Sequence, residues 1–166
     1  MISYLGNSII FISLVLTISF YLNLLRKIIP STTLSLKLIY STNLIPFGLL
    51  VYAFSISDFT LLNVVENSYI DDPIFYKVTS AWGSHEGSIL LWVFLINLFG
   101  VFFLYKNQTV EIHKNILFIS TLFILYVLIS SNPFNYVEAN ENVLGLGLNP
   151  ILQHFLFVIH PPTLFL

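Results

Sequence analysis

The stretch AWGSHEGSILLWVFLI, residues 81–96, joins two kinds of sequence. Its first half concentrates Trp, Gly, Ser, His and Glu, and its second half begins an apolar run that continues to Tyr105 without a charged residue. A helix that crosses a membrane needs about 20 mainly apolar residues. The stretch therefore predicts a polar elbow, followed by a membrane span over residues 87–105.

The composition places the whole chain in a membrane. Of its 166 residues, 57% are hydrophobic and only 8% are charged, whereas charged residues make up about 25% of a soluble domain. The lipid bilayer is thus the first expected partner. A formal net charge of -2 leaves no basic footprint for nucleic acid. The sequence has no cysteine, which excludes disulfides, thiolate metal sites and thiol redox chemistry within these residues.

Hydropathy predicts three further spans, at about 4–25, 38–56 and 115–131. Pro46 lies inside the second of these and is expected to kink it. A last apolar stretch covers 151–166, but Pro161 and Pro162 should prevent one continuous helix there, so the start of a fifth, truncated span is placed at 161. The predicted fold is an all-α polytopic membrane protein, with residues 1–166 in a single membrane domain.

The distribution of charge predicts the orientation of these spans. Basic residues near helix ends favour the cytoplasmic or matrix side of a membrane. Of the six Lys and Arg residues, only Lys77 lies outside the loops that join spans one and two or spans three and four. Of the eight acidic residues, only Glu111 lies within them. The N-terminus and the loops 57–86 and 132–160 are therefore expected together on the outer side. The basic residues of the inner loops are Arg26, Lys27, Lys37, Lys106 and Lys114.

Ahead of the elbow, residues 73–82 have the pattern of a short helix. Acids near a helix start, followed by Pro at the first helical position, are typical of an N-terminus, and Asp71, Asp72 and Pro73 follow that order. Apolar residues at helical spacing then predict an amphipathic helix that lies flat on the outer membrane surface, and Gly83 is expected to turn the chain into the third span. The predicted apolar face consists of Ile74, Phe75, Val78, Ala81 and Trp82, and the polar face of Tyr76, Lys77, Thr79 and Ser80.

The elbow residues Trp82, His85 and Glu86 allow two interpretations. Trp is common at membrane interfaces, and Glu86 fits the cap of the third span because an acid is favourable at a helix N-terminus. Alternatively, the three residues form a pocket wall, a proton path or a contact to the edge of a cofactor. The sequence leaves both interpretations open.

A second polar group ends the other outer loop in IHPPTLFL, residues 159–166. The residue before a proline is pushed into extended geometry, so His160 is expected on a stiff extended segment, with Pro162 starting a helix. An imidazole held in this way is a candidate axial ligand of haem iron. His154 is expected to be buried or interfacial, and His113 to be solvated in the inner charged loop.

The sequence contains no self-contained catalytic site. No Ser-His-Asp set, phosphate-binding loop or pair of buried carboxylates is apparent. No charged residue falls in the middle of a predicted span, and this argues against an ion transporter, which normally carries an ionisable group there.

Five motifs together resemble a known family. SDFTLLNVVENS (57–68), AWGSHEGSILLWVFLI (81–96), SSNPF (130–134), GLNPILQ (147–153) and IHPPTLFL (159–166) are similar, in this order, to the N-terminal part of the CcmF-type subunit of the cytochrome c maturation haem lyase. The resemblance implies a protein of the bacterial plasma membrane or mitochondrial inner membrane. It also implies an activity, in which haem from a haem chaperone is joined through its vinyl groups to the thiols of a Cys-X-X-Cys-His apocytochrome c, kept reduced by a thiol-reducing partner.

The resemblance also assigns site residues. The His of the His-Pro-Pro motif, here His160 before Pro161 and Pro162, is implied as an outer-face axial ligand of haem b. The elbow residues are implied as part of an outer pocket wall that does not bind iron: Trp82, His85 and Glu86.

Several parts of the family pattern are absent from these residues. They are the Trp-rich haem-binding motif, the second outer His and the membrane-embedded His residues. The expectation is therefore that the remaining C-terminal part of the haem lyase lies on another polypeptide and shares the haem, so that this chain is one part of a split enzyme. The alternative is a structural or assembly subunit of a respiratory-chain membrane complex that does not handle haem.

Overall fold

A computed structural model describes residues 1–26, 32–106, 108–138 and 143–164. Within these ranges four helices are long and apolar enough to cross a membrane, and the only pairing of extended residues is a single isolated bridge. The predicted all-α polytopic fold is therefore confirmed. The helices are α1 (Ile2–Arg26), α2 (Thr32–Ser55), α3 (Leu62–Asn67), α4 (Ile74–Gly83), α5 (His85–Tyr105), α6 (Val110–Ser130) and α7 (Phe155–Leu164), with a 3₁₀ turn over Pro150–Gln153.

The four long helices, α1, α2, α5 and α6, each begin before the apolar run that predicted them. The largest differences are in α2, which begins at Thr32, and in α6, which begins at Val110. Hydropathy detects only the apolar centre of a helix, whereas the hydrogen-bonded backbone continues into the polar residues on either side. Pro46 lies inside α2. Lys27 lies outside the described residues.

Helix α5 occupies the middle of the bundle. It packs against α2, α4 and α6, and α1 packs against α2 and α6. Because three neighbours cover α5, its apolar residues contribute to the centre of the core together with those of α2, whereas the outer faces of the long helices expose large apolar side chains, as a lipid-facing surface requires. The core joins Phe47, Leu50, Ala53 and Phe54 of α2 to Leu90, Leu91, Val93 and Leu95 of α5, with Ile124 and Val127 of α6.

A buried layer of polar side chains links three of the spanning helices. The amide of Asn43 in α2 donates to Oδ1 of Asn97 in α5 at 2.8 Å, and the amide of Asn97 donates to Oγ of Ser120 in α6 at 2.7 Å. Asn97 Nδ2 also donates to the carbonyl oxygen of Val93 at 2.7 Å. Hydrogen bonds between helices in a membrane are worth on the order of 1 kcal/mol each. The layer therefore specifies which faces of α2, α5 and α6 meet.

The end of the bundle next to the basic loops is closed by a buried aromatic pair. Tyr40 Oη and His113 Nδ1 lie 2.8 Å apart, within hydrogen-bonding distance, and the Tyr40 ring lies against Gly100, where a Cβ would collide with it. The expectation that His113 is solvated is wrong, because its residue is only 1% exposed. Helix α6 begins early enough to include His113 in its first turns, and this places the ring inside the bundle.

The two long loops meet at the opposite end, which we call the elbow end. The backbone N–H of Leu62 donates to Asn135, and that of Val137 donates to Thr60, each at 2.9 Å. Farther along both loops, the N–H of Ile70 donates to the carbonyl oxygen of Leu144 at 2.9 Å. The loops therefore lie together, as the charge pattern predicts.

The SSNPF motif packs and hydrogen-bonds the second of these loops against the start of α1. The Phe134 ring is fully buried and lies on Gly6, where a Cβ would overlap it. Ser3 Oγ donates to the carbonyl oxygen of Phe134 at 2.7 Å, and Asn132 Nδ2 donates to Oδ1 of Asn7 at 2.7 Å. The motif thus has a structural role, and it places the N-terminus at the elbow end.

The helix predicted over 73–82 is α4, and its start differs from the prediction. Pro73 occupies the N-cap instead of the first helical position. The carboxylate of Asp72 does not lie in the first turn. It accepts a hydrogen bond from the backbone N–H of Tyr69 at 2.9 Å, and so stabilises the bend that precedes the helix.

The face that α4 buries also differs from the prediction. Thr79, Ser80 and Ala81 are buried, whereas Ile74 and Phe75 are exposed. Small side chains allow α4 to approach α2 and α5 closely. The buried hydroxyls of Thr79 and Ser80 both donate to a carbonyl oxygen one turn earlier, and their burial is tolerated because these donors are paired.

The arrangement predicts a labelling pattern for the two ends of the bundle. The sequence has no native cysteine, so Asp71→Cys and Gln108→Cys each introduce a single thiol at an exposed position. A membrane-impermeant maleimide should label the two variants from opposite faces of sealed vesicles, because the two positions lie at opposite ends of spanning helices. Labelling of both variants from one face would contradict the arrangement.

The polar layer predicts a specific loss of stability. Asn97→Ala removes the partner of Asn43 and Ser120 and should lower the free energy of unfolding by about 1–3 kcal/mol, the cost of unpaired buried groups. Thermal unfolding in detergent measures this change. Asn115→Ala is the matched control, since Asn115 is exposed on α6, and it should leave the transition unchanged. If the two substitutions lower the stability equally, the buried polar layer has no special role in stabilising the bundle.

Candidate functional site

Ser84 forms the elbow between α4 and α5. It ends α4 and caps α5 in an extended conformation, with φ of −81° and ψ of 157°. Its Oγ accepts the backbone N–H of Gly87 at 3.0 Å, and this satisfies one of the free donors of the first turn. A Cβ on Gly87 would collide with the carbonyl oxygen of Ala81. The GSHEG sequence is thus built for a tight junction between two helices.

Two expectations about the elbow need correction. The turn lies at Ser84 rather than Gly83, which is the last residue of α4. Glu86 is not the cap of the third span, because the hydroxyl of Ser84 takes that position. Glu86 instead lies in the first turn of α5, where a carboxylate interacts favourably with the helix dipole.

The three elbow side chains point toward different elements. Trp82 is half-buried, and its Nε1 donates to the carbonyl oxygen of Val158 in α7 at 3.0 Å. His85 is exposed, and its Nε2 lies 3.3 Å from Oη of Tyr126 in α6. Glu86 is half-buried. Among the described residues no group of three or more His, Asp or Glu could hold a metal ion. The elbow is therefore a junction of three helices, α4, α5 and α6, that also contacts α7.

His160 lies inside α7, which corrects two expectations. Residue 160 is helical rather than extended, and α7 continues through Pro161 and Pro162 to Leu164. The preference of a pre-proline residue for extended geometry is local, and here the surrounding contacts override it. The exposed His160 residue keeps a backbone contact, since its carbonyl oxygen accepts from Oγ1 of Thr163 at 2.9 Å.

His154 lies between the 3₁₀ turn and α7. Its side chain is exposed rather than buried, and its position at the membrane interface stays a prediction. Its Nδ1 accepts the backbone N–H of Leu156 at 3.3 Å, and its carbonyl oxygen accepts that of Val158 at 3.2 Å. His154 therefore supplies acceptors for the free N–H groups of the first turn.

Residues on α7 and the segment before it form an apolar surface beside His160. A ring system with flat apolar faces could lie on such a surface, with the imidazole at its edge. The sequence shows the apolar stretch that contains these residues, but hydropathy alone does not show which of its side chains are exposed next to His160. The exposed side chains are Ile151, Phe155, Leu156 and Ile159.

Known proteins resemble this chain in sequence and in fold. No family model matches the chain. The cytochrome c-type biogenesis protein CycK of Bradyrhizobium diazoefficiens is 42% identical over 116 residues, which are 66% of this chain and 17% of that protein. The corresponding protein ccl1 of Rhodobacter capsulatus is 42% identical over 129 residues, 74% of this chain and 19% of that one. The biogenesis protein CcmF of Escherichia coli is 38% identical over 126 residues, 72% and 20% of the two chains.

A solved structure, named cytochrome c heme lyase CcmF, shares the fold. It matches with a TM-score of 0.79 at 19% identity, over 99% of this chain and 28% of that chain. The chain spans about a fifth of the length of the curated relatives it matches. The resemblance noted in the motifs is confirmed, and the chain is a relative of the CcmF-type cytochrome c biogenesis proteins.

Proposed function

We propose that this chain forms one part of a haem lyase that attaches haem covalently to apocytochrome c. The single observation that carries the proposal is the identity of about 40% to cytochrome c-type biogenesis proteins, over a region that includes the elbow motif. In this proposal His160 is an axial ligand of the haem being transferred. Its imidazole is exposed on a helix whose position is determined by packing against α4.

The residues around His160 fit one face of a haem. Neutral imidazole is a common axial ligand, and apolar side chains next to it suit the faces of the macrocycle. The exposed Phe155, Leu156 and Ile159 lie on the same short helix as His160. When bound, haem b supplies the vinyl groups that the cytochrome thiols attack. In this chain His160 would hold the iron, and Phe155, Leu156 and Ile159 would contact the apolar ring.

A complete site needs groups beyond the described residues. His160 would supply one ligand to the haem iron. We infer that the remaining part of the family's sequence would supply the second ligand and a Trp-rich wall. Haem chaperone, apocytochrome c and its thiol-reducing partner then complete the system.

The proposed location is an energy-coupling membrane. This is the plasma membrane in bacteria such as those of the relatives, or the inner membrane of mitochondria. In this proposal the elbow end lies on the outer side, because five of the six basic residues of the sequence lie in or near the two connections at the other end. This orientation puts His160 on the side where cytochrome c is assembled. The basic residues are Arg26, Lys27, Lys37, Lys106 and Lys114.

The proposal predicts that removal of one imidazole changes the haem spectrum of the assembled complex. His160→Gly should lower haem retention by about tenfold or more. Replacing even a hydrogen-bond partner of a metal ligand typically lowers the metal affinity about 10–100-fold, and His160 is proposed as a ligand itself. Added imidazole should restore a low-spin absorption spectrum in this variant.

His85→Gly is the matched control, because His85 is also exposed but contacts Tyr126. Its spectrum should remain that of the wild type. An unchanged spectrum in His160→Gly would refute the assignment of the ligand. If the wild-type complex contains no haem, the lyase proposal fails and the alternative, a structural subunit of a respiratory-chain complex, is favoured.

A further inference from the structure

Helix α7 contains a backbone group that its own sequence cannot satisfy. In an α-helix the carbonyl oxygen of residue i accepts the N–H of residue i+4. For Val158 that residue is Pro162, and proline has no N–H. The Val158 residue is only 5% exposed, so water does not readily replace the missing donor. An unpaired buried carbonyl is costly, and an interior proline normally kinks or ends a helix for this reason.

A side chain far away in the sequence supplies the donor. The indole Nε1 of Trp82, 76 positions earlier, donates to the Val158 carbonyl oxygen at 3.0 Å. Indole N–H has no acceptor capacity, so it matches a free carbonyl and could not pair with a backbone N–H. The next two carbonyl groups, of Ile159 and His160, also accept from Oγ1 of Thr163, but the residues four positions after them are not prolines. The indole therefore acts at a carbonyl that has lost its helical donor to proline, that of Val158.

Other contacts hold α4 and α7 at the distance that this hydrogen bond needs. Tyr76 Oη, two turns before Trp82 on α4, donates to the carbonyl oxygen of Gln153 at 2.9 Å. Gly83 follows Trp82, and a Cβ there would come within 3.1 Å of Leu148 Cδ1. The segment that leads into α7 thus packs closely against the end of α4.

We propose that Trp82 acts as a substitute backbone donor for Pro162 and thereby positions His160. The AWGSHEG and HPP motifs are then one structural unit, in which the indole of the first motif compensates for the proline of the second. His160 lies two residues after the carbonyl that Trp82 holds, so the bond determines where the imidazole is placed. Trp82 is a positioning residue and does not contact the iron. The link to haem rests on the proposed function, whereas the link to α7 does not.

The structural half of the proposal is tested without haem. Spin labels on Ile74→Cys and Leu156→Cys report the distance between α4 and α7, because both positions are exposed and the chain has no other cysteine. Trp82→Phe keeps an aromatic ring but loses the N–H, and it should replace the single narrow distance by a broad distribution. Trp92→Phe is the matched control. Trp92 stacks on Phe123 with ring centroids 5.8 Å apart, so its replacement should leave the distance unchanged.

A second substitution makes the test specific. Pro162→Ala restores a backbone N–H that can donate to Val158, so the double variant Trp82→Phe with Pro162→Ala should recover the thermal stability that Trp82→Phe loses, although the bond between α4 and α7 stays absent. A substitution that merely disturbs packing would not be rescued in this way. A narrow distance in Trp82→Phe alone, or no recovery of stability in the double variant, would overturn the proposal.

The functional half is read from the haem spectrum of the assembled complex. Trp82→Phe should reduce the low-spin fraction, while Trp92→Phe should not. If Trp82→Phe broadens the distance and Pro162→Ala rescues its stability, but neither Trp82→Phe nor His160→Gly changes the spectrum, then the role of Trp82 as a substitute donor is supported and the assignment of His160 as haem ligand is refuted. If His160→Gly changes the spectrum and Trp82→Phe leaves it unchanged, then the positioning role of Trp82 is overturned and the ligand assignment stands.

Discussion

The structure depends on Asn97, which holds three spanning helices in one relative orientation. Its side chain accepts from Asn43 in α2 and donates to Ser120 in α6. Apolar contacts alone leave helices in lipid free to rotate, because lipid tails are as apolar as the side chains they would replace. A buried amide with partners on both sides removes this freedom. The rotation of α5 about its own axis is thereby determined, and so is the position of its first turn at the elbow.

The elbow connects this fixed arrangement of helices to the candidate site. Ser84 caps α5 and ends α4, and Gly87 permits the close approach of the two helices. Helix α4 therefore packs back against α2 and α5 and presents Trp82 to α7. The resulting chain of contacts runs from the bundle centre through the elbow to Val158 and His160. Each step in it is a hydrogen bond or a close helix contact, so the imidazole is held by elements that are themselves rigid.

Sequence reasoning succeeded where the information was local. The apolar runs identified four helices long enough to span a membrane, and the motif around Trp82 identified a short helix followed by an elbow. It failed where distant residues decide the outcome. The extended geometry expected for His160 did not allow for an indole donor 76 residues before Val158. The buried state of His113 depends on Tyr40, in another helix, and α4 buries Thr79 and Ser80 because small side chains fit its neighbours.

The most direct test of the account is the composition of the complex that this chain forms in its native membrane. Affinity purification in mild detergent, followed by mass spectrometry and an absorption spectrum, would identify the associated polypeptides and any bound haem. The account predicts co-purification of sequences that carry the Trp-rich haem-binding motif, together with the spectrum of a low-spin haem. Association with respiratory-chain subunits only, with no haem spectrum attributable to this chain, would contradict it.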